Sequence, residues 1–150
     1  MHWRTGDLVR AIPISRDDLN QAISRNGFRP DHTPKPGTER WYGWRDVVAI
    51  AASQELRKIG YGPAIAFGLV QEHLSPFLRS SVEHPRQFKK LLWLIEPAEG
   101  TPAKKHRCRF LHRADPACLA EASKTGCIIV NLEHVTNRIL ADLAGTKWAG

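Results

Sequence analysis

The chain has 150 residues, of which 42% are hydrophobic, so it can bury the core of one domain or of two small ones that share it. Its net charge of +7 favours a polyanionic partner, with nucleic acid ahead of an anionic membrane surface. The sequence has no apolar run long enough to predict a membrane span, and its N-terminus lacks the apolar core of a signal peptide. Its three cysteines form no CxxC pair, which indicates a reduced, cytoplasmic protein.

The N-terminal residues predict two short helices. Residues 5–12 form the first, which a proline stops. The stretch SRDD at residues 15–18 is a capping box that opens the second, because its serine can accept a backbone hydrogen bond while its last aspartate reaches back. This helix is expected to run to about Arg25, with Gly27 in the left-handed conformation that ends helices. Two short helices joined by a tight turn are the layout of a helix-turn-helix and of any helical hairpin.

A proline-rich loop separates these helices from a longer one. Residues 28–42 contain three prolines and are expected to protrude as a loop. Helical periodicity is strong from Asp46 to Ile59, and Gly60 ends it. Another helix is apolar nearly all round and therefore buried, and we expect it to extend from Pro63 to a stop at Pro76.

The character of the chain changes after about residue 85. Three stretches read as short strands, either apolar or alternating between apolar and basic residues: residues 91–95, 106–112 and 127–132. A final amphipathic helix carries apolar residues on one side, namely Leu132, Val135, Ile139 and Leu143. The whole pattern predicts an α+β protein with a boundary near residue 80 and a small α/β module over residues 81–150.

The stretch RWYGWRDV at residues 40–47 carries a family resemblance. An arginine, a tyrosine and an aspartate–valine pair, followed after a helix by an aliphatic–glycine–aromatic triplet, resemble a block of the MerR-type winged helix-turn-helix family. The matching positions are Arg40, Tyr42, Asp46, Val47, Ile59, Gly60 and Tyr61. Upstream, residues 3–30 have the family's length and landmarks without a gap. The resemblance covers about residues 3–74.

The resemblance implies an N-terminal winged helix-turn-helix over residues 1–80 that binds double-stranded DNA and regulates transcription. The helix at about residues 15–25 would enter the major groove, and the loop at about residues 28–42 would be the wing on the phosphate backbone. Tyr42 would anchor the wing to the body of the domain. Base edges would be read by Arg16, Asp17, Asn20 and Gln21, and phosphates would be contacted by Arg25, Arg29, Lys35, Arg40 and Arg45.

Two departures from the family keep a second function open. Asn20 and Gln21 stand where the family usually has an arginine and an aromatic, while Pro76 and Pro85 interrupt the region where its members continue into a dimerising coiled coil. The alternative is an excisionase-like architectural protein or a phage-type adaptor that uses a winged helix without regulating transcription. As a regulator, the protein is expected to be a homodimer, with residues 81–150 pairing the subunits or binding an unknown small-molecule effector.

Catalytic and metal-binding patterns are weak. The residue types of His106, Cys108, His112 and Cys127 suit zinc, but their spacing fits no usual structural site. The sequence has no nucleophile elbow, no phosphate-cradling glycine loop and no paired acids near a histidine. We therefore expect a binding protein rather than an enzyme, with no cofactor and no bound metal.

Overall fold

The computed structural model describes residues 2–96, 106–112, 116, 117, 120 and 127–144, which form helices and two small antiparallel sheets. The helices are α1 (Thr5–Ala11), α2 (Arg16–Ser24), α3 (Trp44–Lys58), α4 (Pro63–Leu69), α5 (Ser75–Ser81) and α6 (Leu132–Ala144), with a π-helical turn at Val70–Leu74 and a 3-10 turn at Pro85–Phe88. The strands are β1 (His2–Arg4), β2 (Trp41–Gly43), β3 (Leu91–Glu96), β4 (Arg107–His112) and β5 (Ile128–Asn131). The predicted α+β class is confirmed.

Helix α2 begins and ends at the residues that the sequence marked. The Ser15 hydroxyl accepts from the backbone N–H of Asp18 at 3.0 Å. The predicted capping box is only half formed, because the Asp18 carboxylate pairs instead with Arg57 of α3 at 3.8 Å. Beyond the helix, Gly27 takes the predicted left-handed conformation with φ 76°.

Strands β1 and β2 hold the N-terminus against the residues that follow the proline-rich loop. They pair antiparallel, with Trp3 opposite Tyr42, and both side chains are buried. The loop predicted over residues 28–42 ends earlier, because Trp41 and Tyr42 belong to β2. It runs from the end of α2 over residues 25–40, and no strand is assigned within it. At its tip the Thr38 N–H donates to the Lys35 carbonyl at 3.1 Å. The loop therefore has little regular structure of its own and depends on its neighbours for its position.

Helix α3 is the centre of the core. It begins at Trp44, two residues before the predicted start, because the Asp46 carboxylate accepts from the Gly43 N–H at 3.2 Å and caps the first turn. Ten of its fifteen residues are buried, since α4, α5 and α6 all pack against it. Gly60, with φ 106°, follows its end as predicted.

The predicted end of the fourth helix at Pro76 is wrong. Helix α4 continues through the π-helical turn into α5, so the helical path passes Pro76 and ends at Ser81. A proline has no N–H to donate, and the wider turn before it accommodates that loss: the Ser75 N–H donates to the Val70 carbonyl, five residues back. The extra turns of α5 bring this helix to the loop of residues 25–40.

The C-terminal sheet has the strand order β4-β3-β5, and both neighbouring pairs are antiparallel. Its three strands lie where the sequence predicted them. Trp93 on the central strand is fully buried and stands opposite Phe110 of β4 and Val130 of β5. Strand β4 alternates as predicted, with Cys108 and Phe110 packed on the core and Arg107 exposed.

Helix α6 joins both parts of the chain in one core. The apolar side that the sequence predicted for it is buried, and the helix packs against α1 and α3. Buried side chains from Trp3 in β1 to Leu143 in α6 belong to one cluster, so residues 1–80 and 81–150 share their hydrophobic interior. None of the helices in the described ranges is long and apolar enough to cross a membrane.

Candidate nucleic-acid interface

The solvent-facing side of α2 carries the predicted base-reading residues. Leu19 and Ala22 are buried and fasten the helix to the core. The helical repeat then turns the polar positions outward, and all four of them are exposed: Arg16, Asp17, Asn20 and Gln21. The helix therefore presents one guanidinium, one carboxylate and two carboxamides to solvent on a short, rigid element.

We use the name cationic surface for five cations that α2 and the loop place at the surface of the protein: Arg16, Arg25, Arg29, Lys35 and Arg40. Four of them are exposed and Arg40 is half-buried. Within the described part of the chain, no carboxylate lies within ion-pair distance of any of the five. Their positive charge is therefore available to an external anion.

The acids of the same stretch are largely neutralised by cations from other elements. Asp18 pairs with Arg57 of α3 at 3.8 Å. Asp31 pairs with Arg79 of α5 at 2.9 Å, and Glu39 pairs with Arg4 of β1 at 3.2 Å. Of the four acids between residues 15 and 40, this leaves Asp17 as the one with no such ion pair among the described residues. The surface is thus more positive than its sequence composition suggests.

Tyr42 lies beneath the cationic surface rather than on it. It is fully buried and makes a side-chain hydrogen bond with Thr5 of α1. Burial raises the pKa of the Tyr42 hydroxyl, while the Thr5 hydrogen bond and the charges of Arg40 and Arg16 oppose that rise. The two arginines, far apart in sequence, are therefore both near this hydroxyl. Tyr42 has no exposed surface for a phosphate.

Arg45 differs from the other predicted phosphate contacts because its donors are engaged within the chain. Its Nε donates to the Leu78 carbonyl at 3.0 Å, and its Nη2 donates to the Val82 carbonyl at 2.7 Å. Its guanidinium also lies 4.6 Å from the centre of the Trp44 ring. Arg45 thus has backbone carbonyl partners at the end of α5. The cations of the cationic surface have no carboxylate partner among the described residues.

The base of the loop is held by Asp46 and by two residues that no sequence motif indicated, Gln71 and Arg79. The Arg29 N–H donates to Gln71 Oε1 at 2.9 Å, and Arg79 donates from Nε to Asp31 at 2.9 Å and from Nη2 to the Arg29 carbonyl at 3.1 Å. The Asp31 N–H donates to the Asp46 carboxylate at 3.2 Å. These partners are 15 to 50 residues apart, so no local pattern could have revealed them.

Asp46 is a buried acid within this base. Its pKa is raised to about 6, chiefly by burial and next by the negative charge of Asp31, while the N–H groups of Asp31 and Gly43 act in the opposite direction. Its two oxygens thus connect the start of the loop to the first turn of α3. The aspartate of the family-like block is a structural link rather than a surface group.

The zinc-type residues are not gathered into a metal site among the described residues. No group of three or more histidine, cysteine or acidic side chains there is placed to hold a metal ion. Burial raises the pKa of the Cys108 thiol to about 11, which disfavours the thiolate that binds metals. His106 is buried with its ring centre 6.1 Å from that of Tyr61, and the side chain of His112 lies outside the described part.

A separate cavity of about 530 Å³ lies between the end of α3, β5 and the start of α6. It is lined by Glu55, Ile59, Ile128, Ile129, Val130, Asn131, His134 and Val135. Two of these, Ile59 and Ile129, are large apolar side chains with 57% and 49% of their surface exposed. The cavity combines apolar walls with a few polar groups, which is the usual composition of a small-molecule site.

Compared with models of known protein families and with curated proteins, the chain matches none. The cationic surface and the outward residues of α2 both lie in residues 15–40, next to the block that resembles the MerR-type family.

Proposed function

We propose that the protein is a DNA-binding transcriptional regulator of MerR-like type and not an enzyme. Helix α2 would enter the major groove, and the loop would act as the wing on the phosphate backbone. The observation that carries this proposal is the cationic surface: five cations without a carboxylate partner among the described residues, beside acids that cations from other elements neutralise. Such a surface favours a polyanion whose charges are spaced along a backbone.

The outward residues of α2 have the chemistry for reading base edges. Asn20 and Gln21 can pair in a bidentate manner with adenine, Arg16 with guanine, and Asp17 can accept from cytosine N4. They stand on a helix whose inner face is fixed in the core, so they would approach the groove as one unit. The antiparallel pairing of β1 with β2 and the helix–turn–helix order before the loop support the same proposal.

An excisionase-like architectural protein or a phage-type adaptor is the second candidate. It is favoured by the course of the chain after α4, where the π-helical turn and α5 give way to the C-terminal sheet. Among the described residues, both α3 and the helical path of residues 63–81 bury their apolar side chains in the core, so neither is a dimerising coiled coil. As a regulator, the protein would therefore form a homodimer through residues 81–150. The cavity of about 530 Å³ would be the site for a small-molecule effector.

Selection of bound duplexes from a random pool, followed by affinity measurements over a range of salt concentrations, tests the proposal. Wild type should select one motif and lose affinity steeply as salt rises. Arg40→Ala should weaken binding to all sequences alike and lower the salt slope by about 1, while Asn20→Ala should relax preference at one base position. Lys58→Ala removes an exposed cation in the last turn of α3 and serves as the control, with no change expected.

The result also separates the two candidates. A regulator should select a palindromic motif and bind it as a dimer, which sedimentation of the complex would show. An architectural protein should bend its DNA and fill repeated sites cooperatively. Binding that is absent, or that does not depend on salt, would contradict both DNA functions and leave the adaptor.

A further inference from the structure

The loop of residues 25–40 is positioned at its base by the helical segment that follows α4. The guanidinium of Arg79 binds the Asp31 carboxylate and the Arg29 carbonyl at once, at 2.9 Å and 3.1 Å. Gln71, in the π-helical turn, accepts the Arg29 N–H at 2.9 Å. The Asp46 carboxylate accepts the Asp31 N–H from the opposite, α3 side. Both backbone N–H groups at the base of the loop are thus bound by side chains from distant parts of the chain.

The other side of α5 is fastened to the C-terminal sheet. The Phe77 ring stacks on Phe110 of β4, with 3.9 Å between ring centres and 2° between ring planes. Phe110 in turn stacks beside Trp93 of β3 at 6.1 Å and 9°. Arg45 holds the end of α5 through the Leu78 carbonyl. Since Phe77 and Arg79 are two residues apart on one rigid helix, the position of the sheet and the base of the loop are joined through α5.

We propose that Arg79 is a positioning residue for the loop, and that α5 links the placement of this loop to the C-terminal sheet. The effect on DNA rests on the proposed function, but the positioning of the loop does not. Arg79 would act through Asp31 and Arg29 and would not contact DNA itself, because its Nε and Nη2 already donate within the chain. Gln71 and Asp46 complete the base.

A loop without a strand ladder must lose conformational entropy when it settles on a phosphate backbone. Contacts that hold its base in the free protein reduce that loss, which strengthens binding without adding a contact to DNA. Arginine suits this role because its planar fork can reach a carboxylate and a carbonyl together, whereas the lysine ammonium is a point charge. Loss of the Arg79 contacts should therefore disorder the free loop directly and weaken DNA binding as a consequence.

Hydrogen exchange of the free protein tests the positioning directly. In Arg79→Gln, the amides of Arg29 and Asp31 should exchange at least several-fold faster than in wild type, with partial recovery in Arg79→Lys. The amide of Tyr42, in β2, should be unchanged. The control is Lys58→Gln, which removes another exposed ion pair, that with Glu55 at 3.0 Å. Unchanged exchange at Arg29 and Asp31 would overturn the proposal.

Binding to the selected duplex separates positioning from contact. Arg79→Gln should weaken affinity by about 3- to 10-fold with an unchanged salt slope, because the loop can still form its phosphate contacts once bound. A salt slope lower by about 1 would show that Arg79 touches a phosphate itself and would overturn the positioning role. Faster exchange with unchanged affinity would overturn the link to DNA. If wild type binds no DNA, the proposed function fails while the exchange result still decides the positioning.

Two substitutions, one on each face of the C-terminal sheet, test whether the sheet influences the loop through α5. Phe110→Leu disrupts the stack on Phe77, and it should speed exchange at the Arg29 and Asp31 amides several-fold. Leu92→Ala is the control, because Leu92 belongs to a separate small cluster with Leu94. Equal acceleration by both variants, or none by Phe110→Leu, would overturn transmission through α5.

Discussion

The cationic surface and the junction of α3 with α5 use the same kind of residue in opposite ways. Arg16, Arg25 and Arg29 have no carboxylate partner among the described residues and stand in solvent. Arg45 and Arg79, at the junction, donate to backbone carbonyls and to a carboxylate of the same chain. The role of an arginine is therefore set by the acceptors that the fold brings to it. Five substitutions, in four experiments, test how far this contrast holds.

The largest effect is expected in the hydrophobic core. Leu56 of α3 is fully buried, so Leu56→Ala should remove about 2–5 kcal/mol from the free energy of unfolding by leaving a cavity. Gln21→Ala on the exposed side of α2 should change it by no more than about 0.5 kcal/mol. Denaturant titrations of both variants measure the contrast. Similar losses in the two would contradict the assignment of α2's outer face as free of packing.

Asp46, which lies between the two regions, should make stability depend on pH. Its pKa is about 6 in the folded protein and 3.8 in the ordinary case, so the native state binds more protons between these values. Stability from this group is therefore fully present below the lower value and is lost as pH rises through the higher one. Relative to Asp46→Asn, wild type should lose up to about 3 kcal/mol between about pH 4 and pH 7.

Chemical denaturation of wild type and Asp46→Asn at a series of pH values measures this difference. Comparing the two proteins cancels the contribution of the other carboxyl groups, which titrate in both. A difference that stays constant with pH would show that Asp46 ionises normally and that its site is better hydrated than the structure indicates.

A smaller effect on stability is expected at Arg45, which donates hydrogen bonds to backbone carbonyls. Arg45→Gln should lower the free energy of unfolding by about 1–3 kcal/mol, because the Leu78 and Val82 carbonyls lose a charged donor. The DNA affinity of this variant should depend on salt concentration as steeply as that of wild type. Thermal unfolding measures the stability, and salt titrations measure the salt dependence of DNA affinity. A lower salt slope with unchanged stability would show that Arg45 contacts a phosphate, like the residues of the cationic surface.

The smallest effect on stability belongs to the cationic surface itself. Arg25→Ala should change the free energy of unfolding by less than about 0.5 kcal/mol, since the side chain is exposed and has no ion pair among the described residues. It should nevertheless lower the salt slope by about 1. A clear loss of stability would show that Arg25 has a structural partner, and the contrast between the two regions would then fail.

Much of the fold was readable in the sequence because its signals are local. The α2 cap at Ser15, the left-handed glycines at positions 27 and 60, and the three short strands are each specified within a few residues. Pro76 was misread because a proline usually ends a helix, and only the wider turn before it lets the path continue. The outward side of α2 followed from helical periodicity once Leu19 was assigned to the core.

The excess of positive charge, the order of the elements and the outward positions of α2 all follow from the amino-acid sequence. Which cations remain unpaired depends instead on the fold, because the cations that pair with the nearby acids come from far along the chain: Arg57 reaches Asp18, and Arg79 reaches Asp31. Ion pairs and buried carboxylates depend on distances of a few ångströms between residues that no sequence spacing relates. The loop's position, and with it the surface it helps to form, is therefore a property of packing around α3 and α5.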